Sequence, residues 1–161
     1  MGTSTCRDRL GYFRPNDFKV SSCAMCYIYL VIDNPQYVLY PTLAVQTFHH
    51  RPYGIKSKTK SQAYIIYPDF NNSTTVNTIC RELDDVTCSR WITCCEDAWA
   101  CCKQQLLQSK PVDGEIYCPQ TFDGWDCWNF TEANTTVTQV CPSFLTRTTS
   151  TYFCNLGNHR Q

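Results

Sequence analysis

No stretch of the 161 residues approaches the roughly 20 consecutive apolar residues that a bilayer-crossing helix needs, so none of them reads as a membrane span. Charge is scarce, at 17% of residues, and 14 Lys+Arg against 14 Asp+Glu leave no net charge. The densest basic cluster is the broken run Lys56, Lys58 and Lys60, too little to follow a phosphate backbone, so nucleic acid is set aside as a partner. The spacings Gly-x-x-x-x-Gly-Lys, Gly-x-Gly-x-x-Gly, Gly-x-Ser-x-Gly and His-Glu-x-x-His are all missing. His49, His50 and His159 fall in polar or terminal stretches, which fixes no thiol–imidazole pair. An enzyme is not expected, nor a cofactor.

What the chain has in excess is cysteine. Thirteen in 161 residues mark a disulfide scaffold, made where thiols oxidise outside the cytosol. Cys6, Cys23 and Cys26 stand in the first half; Cys80, Cys88, Cys94, Cys95, Cys101, Cys102, Cys118, Cys127, Cys141 and Cys154 fill the second. Charge divides at the same place, with 8 basic and 4 acidic residues before Cys80 and 6 basic and 10 acidic from there on. The folded domain is therefore expected over 80–161. Residues 1–47 contain the longest apolar run, Val20 to Ile32, behind Arg7, Arg9, Arg14 and Lys19. That layout suits an export signal with an overlong basic leader; the alternatives are a buried strand or an ill-defined start to the chain. Residues 48–79, polar and opened by Arg51-Pro52-Tyr53-Gly54, read as a linker. Asn-x-Ser/Thr acceptor sequences at Asn71, Asn72, Asn129 and Asn134 add to the case for a glycosylated extracellular surface.

Between Arg90 and Gln108 there is no Gly or Pro, and Trp91, Cys95, Ala98, Cys102 and Leu106 recur at helical steps. Asp84 and Asp85 suit the N-terminal side of this predicted helix, and Pro111 ends it. The doubled cysteines 94/95 and 101/102 invite a metal reading. Residues seven apart on a helix are separated by roughly 10.5 Å, however, so one helix cannot bring its sulfurs around a single zinc, and disulfides are preferred to metal. Beyond Pro111, short runs rich in Thr, Val, Tyr, Phe and Trp predict two or more antiparallel hairpins. A helix and a few short strands bury too little to fold unaided, so bridges at roughly 2–4 kcal/mol each must supplement the core.

The segment CPQTFDGWDCWNFTEANTTVTQVCPSF, Cys118 to Phe144, carries Thr121-Phe122-Asp123-Gly124, Cys127-Trp128 and Cys141-Pro142. From Cys102 to Cys154 the chain closely resembles the extracellular hormone-receptor domain of secretin-like (class B) G-protein-coupled receptors. The doubled cysteines flanking Ala98 are similar to an invertebrate branch, the pigment-dispersing-factor-type receptors. The resemblance implies a small disulfide-rich α+β domain, one N-terminal helix laid on two short antiparallel β-hairpins. It implies pairing of Cys102 with Cys127 and of Cys118 with Cys154, and a sixth cysteine, beyond Cys154, for Cys141. Asp123 would hold the turn and a neighbouring side chain, Trp128 would cover the core, and Pro142 and Gly157 match structural positions. A helical peptide hormone or neuropeptide would dock beside the N-terminal helix, with Trp91, Ile92, Phe144 and Leu145 as candidate groove residues; the alternative for Trp91 and Ile92 is inward packing.

The family continues past Gly157 to a tryptophan, a last cysteine and seven membrane helices. The chain thus reads as a fragment or truncated isoform, unless one of Cys80, Cys88, Cys94, Cys95 and Cys101 takes Cys141. On this reading it lies on the outer face of the plasma membrane in a full-length parent that couples to a heterotrimeric G protein. A structural module of an adhesion-type receptor and a secreted decoy are the alternatives.

Overall fold

The computed structural model describes residues 4–32, 43–48, 51–57, 64–109, 111, 116–141 and 149–153. Among them are three helices, α1 (Pro15–Ile32), α2 (Ser73–Cys80) and α3 (Asp85–Leu107). The strands are β1 (Cys6–Asp8), β2 (Gly11–Phe13), β3 (Leu43–Phe48), β4 (Arg51–Ser57), β5 (Ile65–Ile66), β6 (Tyr117–Cys118), β7 (Thr121–Phe122), β8 (Cys127–Trp128), β9 (Thr131–Glu132), β10 (Thr136–Val140) and β11 (Thr149–Phe153). They form small sheets ordered β2-β1-β7-β8, β3-β4-β5, β6-β9 and β10-β11. The architecture is α+β and disulfide-rich.

Local chemistry sets the helix ends. Pro15 opens α1, where a missing N–H costs nothing, and Asp17 lies in its first turn. Asn72 caps α2, its side-chain oxygen accepting from the N–H groups of Thr74 and Thr75 at 3.0 and 3.2 Å. Asp84 caps α3, accepting from the Thr87 N–H at 2.9 Å and the Thr87 hydroxyl at 2.7 Å. Helix α3 then runs 23 residues without a breaker.

Helix α3 is the spine, and its doubled cysteines are bridged to α1, β1 and β8. Cys95 and Cys102 bond to Cys23 on α1 and Cys6 on β1, while Cys94 bonds to Cys26 on α1 and Cys101 to Cys127 on β8. Cys80–Cys88 staples α2 to the first turn of α3. Two clusters of buried side chains result. One gathers Tyr27 and Val31 of α1, Ile55, Ile66, Ile79, Leu83 and Trp91. The other gathers Phe13, Phe18, Ala98 and Phe122.

This corrects the expected organisation. The apolar run Val20 to Ile32 lies within α1 and is packed on α3, so the folded unit reaches back to Cys6 instead of beginning at Cys80. Residues 51–57, 65–66 and 73–79, expected within a linker, lie in β4, β5 and α2, and Ile55, Ile66 and Ile79 are core residues. A helix enclosed by other elements is apolar around much of its girth, which in the sequence imitates an export signal. No described helix is long and apolar enough to cross a membrane.

Candidate functional site

Strands β7 and β8 pair with Thr121 opposite Trp128 and Phe122 opposite Cys127, leaving Asp123 to Asp126 as the connecting turn. Asp123 organises it with both carboxylate oxygens. Oδ1 accepts the N–H groups of Trp125 and Asp126 at 2.9 and 2.8 Å, and Oδ2 accepts the indole N–H of Trp128 at 2.8 Å. Bonds to a carboxylate are the stronger kind, and here they tie backbone conformation to the position of the largest core ring of the strand pair. Gly124 sits at φ +107°, a region L side chains seldom enter.

A cavity of about 460 Å³ opens at the β6-β9 pair, lined by Pro111, Ile116, Tyr117, Phe130, Glu132 and Ala133. The antiparallel pair β6-β9 sets Tyr117 opposite Glu132. The Ala133 N–H donates to the Ile116 carbonyl at 2.9 Å and extends that ladder. Tyr117 and Phe130 meet edge to face at 5.2 Å. Ile116, one of the lining residues, is 63% exposed. The cavity thus offers two rings, an aliphatic side chain and one carboxylate.

The N-terminal segment packs against the Asp123 turn. Phe18 packs edge to face on Phe122, and Tyr29 lies over Trp125 with ring centroids 4.6 Å apart. The Arg9 guanidinium stands 5.3 Å from the Tyr29 ring centre. Burial raises the pKa of Tyr29; Arg9 opposes this, and the nearby carboxylates of Asp123 and Asp8 reinforce it. Gln105 of α3 holds the backbone of Arg7 at both groups, accepting its N–H at 2.6 Å and donating to its carbonyl at 3.0 Å. Sequence reasoning passed over Arg9, Tyr29, Trp125 and Gln105. No local pattern marks them, because their partners lie up to 98 residues away.

The remaining candidates divide. Trp91 has no exposed surface, and its indole donates to the Cys23 carbonyl at 3.0 Å; it belongs to the core between α1 and α3 and cannot line a surface groove. Ile92 is partly buried against the same cluster. Trp128 is buried. Phe144, Leu145, Pro142, Gly157 and Cys154 lie outside the described residues. The expected Cys102–Cys127 bridge is replaced by Cys101–Cys127 and Cys6–Cys102. Consecutive helical residues diverge by about 100°, so only one of the two sulfurs can face β8. Cys118 is disulfide-bonded and Cys141 is buried. Cys80, Cys88, Cys94, Cys95 and Cys101 all have other partners, which leaves none of them for Cys141. The acceptor asparagines Asn71, Asn72, Asn129 and Asn134 are all exposed. Among the described residues no group of three His, Cys, Asp or Glu is placed to hold a metal ion.

The stretch holding the Asp123 turn, the β6-β9 pair and the cavity rim coincides with a known family. Residues 115–158 match the hormone receptor domain. This chain carries a hormone receptor domain. The calcitonin receptor of Cavia porcellus is 41% identical to it over 49 residues, 30% of this chain and 10% of that receptor. The calcitonin receptor of Sus scrofa is 39% identical over 44 residues, 27% of this chain and 9% of that receptor. The matched segment thus spans about a tenth of those receptors' length. No solved structure matches the chain.

Proposed function

We propose that the chain is the ligand-binding extracellular part of a peptide-hormone receptor, and that its ligand is a calcitonin-like helical peptide. The observation that carries this is the coincidence of the hormone receptor domain with an open cavity of two aromatic rings, Ile116 and Glu132. Peptide helices are held by apolar anchors in such concave, ring-lined surfaces, and a carboxylate at the edge suits a cationic group on the peptide. Ile92, Phe144 and Leu145 are proposed to extend the contact. Five disulfides among the described residues support an extracellular setting. Signalling through a heterotrimeric G protein would belong to a full-length parent with membrane helices.

The test is calorimetric titration of amidated calcitonin into the oxidised, secreted chain. Binding that weakens by about ten- to a hundredfold in Ile116→Asp is expected, since losing an apolar anchor removes roughly 1.5–3 kcal/mol. Absence of any heat up to about 1 mM peptide, weaker than about 4 kcal/mol, would refute it.

A further inference from the structure

The basic side chains that stand ahead of the apolar part of α1 are treated unequally by the fold. Lys19 is committed within the molecule, paired with Asp69 and 4.9 Å from the centre of the Phe70 ring. Arg7, Arg9 and Arg14 are not, and among the described residues none of their guanidinium groups forms an ion pair. Strands β1 and β2 form a hairpin with Cys6 opposite Phe13, Arg7 opposite Tyr12 and Asp8 opposite Gly11. Cys6, Asp8 and Phe13 are buried, so side-chain alternation puts Arg7 and Tyr12 on the outer face. The Arg7 guanidinium lies 5.8 Å from the centre of the Tyr12 ring, and that of Arg9, in the turn, 5.3 Å from the centre of Tyr29. A ring behind its plane steadies a guanidinium and leaves the N–H edge free for an anion. Arg9 and Arg14 are both exposed.

The neighbouring carboxylates are turned to other tasks. Asp8 is buried and accepts the N–H groups of Leu10 and Gly11 at 2.7 and 3.1 Å. Asp123, which lines a crevice with Arg9, is held by its own turn. Asp17, in the first turn of α1, is the one exposed carboxylate among residues 4–20. At about 3.3 Å per strand residue, Arg9, Arg7 and Arg14 follow one another along the hairpin at steps of roughly 7 Å, over a line of about 13 Å. A single phosphate or sulfate is too small to bridge that line; a chain of regularly repeated negative groups can.

We propose that the β1-β2 hairpin binds a linear sulfated polysaccharide of the cell surface, with sulfate groups seated on Arg7, Arg9 and Arg14. The disulfides put the chain where such polymers are met. Planar, weakly hydrated guanidinium groups pair with oxyanions through two N–H bonds at once. From Cys80 on the chain carries 6 basic and 10 acidic residues and repels the same polymer, so contact is directed to the basic N-terminal part. The hairpin lies outside residues 115–158, and the proposal does not rest on the identity of the hormone.

The test is calorimetric titration of a heparin octasaccharide into the oxidised, secreted chain at about 0.15 M salt. Binding is expected, weakening steadily as salt rises because each ion pair releases counterions. Arg7→Gln, Arg9→Gln and Arg14→Gln together are expected to weaken it about a hundredfold, at about fivefold for each ion pair. Arg14→Gln alone changes one exposed side chain, leaves the hairpin contacts in place and is expected to lose about fivefold. Arg81→Gln combined with Arg90→Gln removes exposed charge at the end of α2 and on α3, and is expected to bind within about twofold of the parent. Absence of octasaccharide binding, or an equal loss in the Arg81 and Arg90 variant, overturns the proposal. Equally tight binding of a polyglutamate peptide of the same charge also overturns it, by making the partner an acidic peptide. Displacement by inorganic sulfate at equal charge concentration overturns it too, by reducing the strip to a single-anion site. Calcitonin titration of the same samples reads the hormone assignment separately.

Discussion

Replacing Gly124 with alanine tests the contact between the N-terminal helix and the Asp123 turn. A Cβ there would lie 2.5 Å from Tyr29 Cε2, 3.2 Å from Cζ and 3.3 Å from the hydroxyl oxygen. Ordinary carbon contacts need about 3.5–4.0 Å, so the ring must move by about 1 Å or more. It cannot move freely, because it is stacked on Trp125 at 4.6 Å and covered by Arg9. Loss of that stack costs about 0.5–1.5 kcal/mol, and an L residue held at φ +107° adds about 1–3 kcal/mol. Together these give roughly 2–4 kcal/mol, a fall in Tm of about 4–16 °C for a domain of this size. In a Tyr29→Ala background the clash vanishes and only the backbone part remains, so the double-mutant cycle should show coupling of about 0.5–1.5 kcal/mol. Equal effects of Gly124→Ala in both backgrounds would refute the packing of α1 on this turn.

Asp123→Asn should cost about 2–3 kcal/mol in thermal unfolding, because an amide turned to satisfy the backbone N–H groups sets an N–H against the Trp128 indole N–H; Asp123→Glu, too long for the turn, should not rescue it. The raised pKa of Tyr29 means the folded state holds that proton more tightly. Its contribution is then complete below pH 10 and lost as pH rises through the folded value, and Tyr29→Phe should flatten that alkaline limb in a stability-versus-pH series. Serine pairs at Cys80/Cys88 and at Cys6/Cys102 should lower stability unequally, by about 2.5 and about 3.5 kcal/mol on chain-entropy grounds, because the Cys23–Cys95 bridge already shortens the loop that Cys6–Cys102 closes. Peptide mapping should recover Cys127 joined to Cys101, and recovery with Cys102 would refute the arrangement around α3.

Helix α3 was legible because its apolar positions repeat at helical steps and Asp84 supplies an N-terminal acceptor, both local properties. The Asp123–Trp128 unit was legible through resemblance, since six consecutive residues hold the turn that the carboxylate closes. The fate of Val20 to Ile32 was not, because hydropathy records that a run is buried and not what buries it. Nor was the choice between Cys101 and Cys102, adjacent in sequence and distinguished only by which neighbour each faces. Trp91 illustrates the same limit. Its place on the helix was readable, but whether that face meets solvent depends on α1, some 70 residues earlier in the chain.

The connectivity also dictates an order of events during synthesis. Cys6, Cys23 and Cys26 leave the ribosome first, yet their partners trail them by 96, 72 and 68 residues. Until α3 emerges, those early thiols have only each other, and any bond among them must later be undone. A chain that forms such early bonds needs a reshuffling catalyst to reach its final pairing, and unassisted reoxidation of the purified polypeptide is expected to populate scrambled isomers.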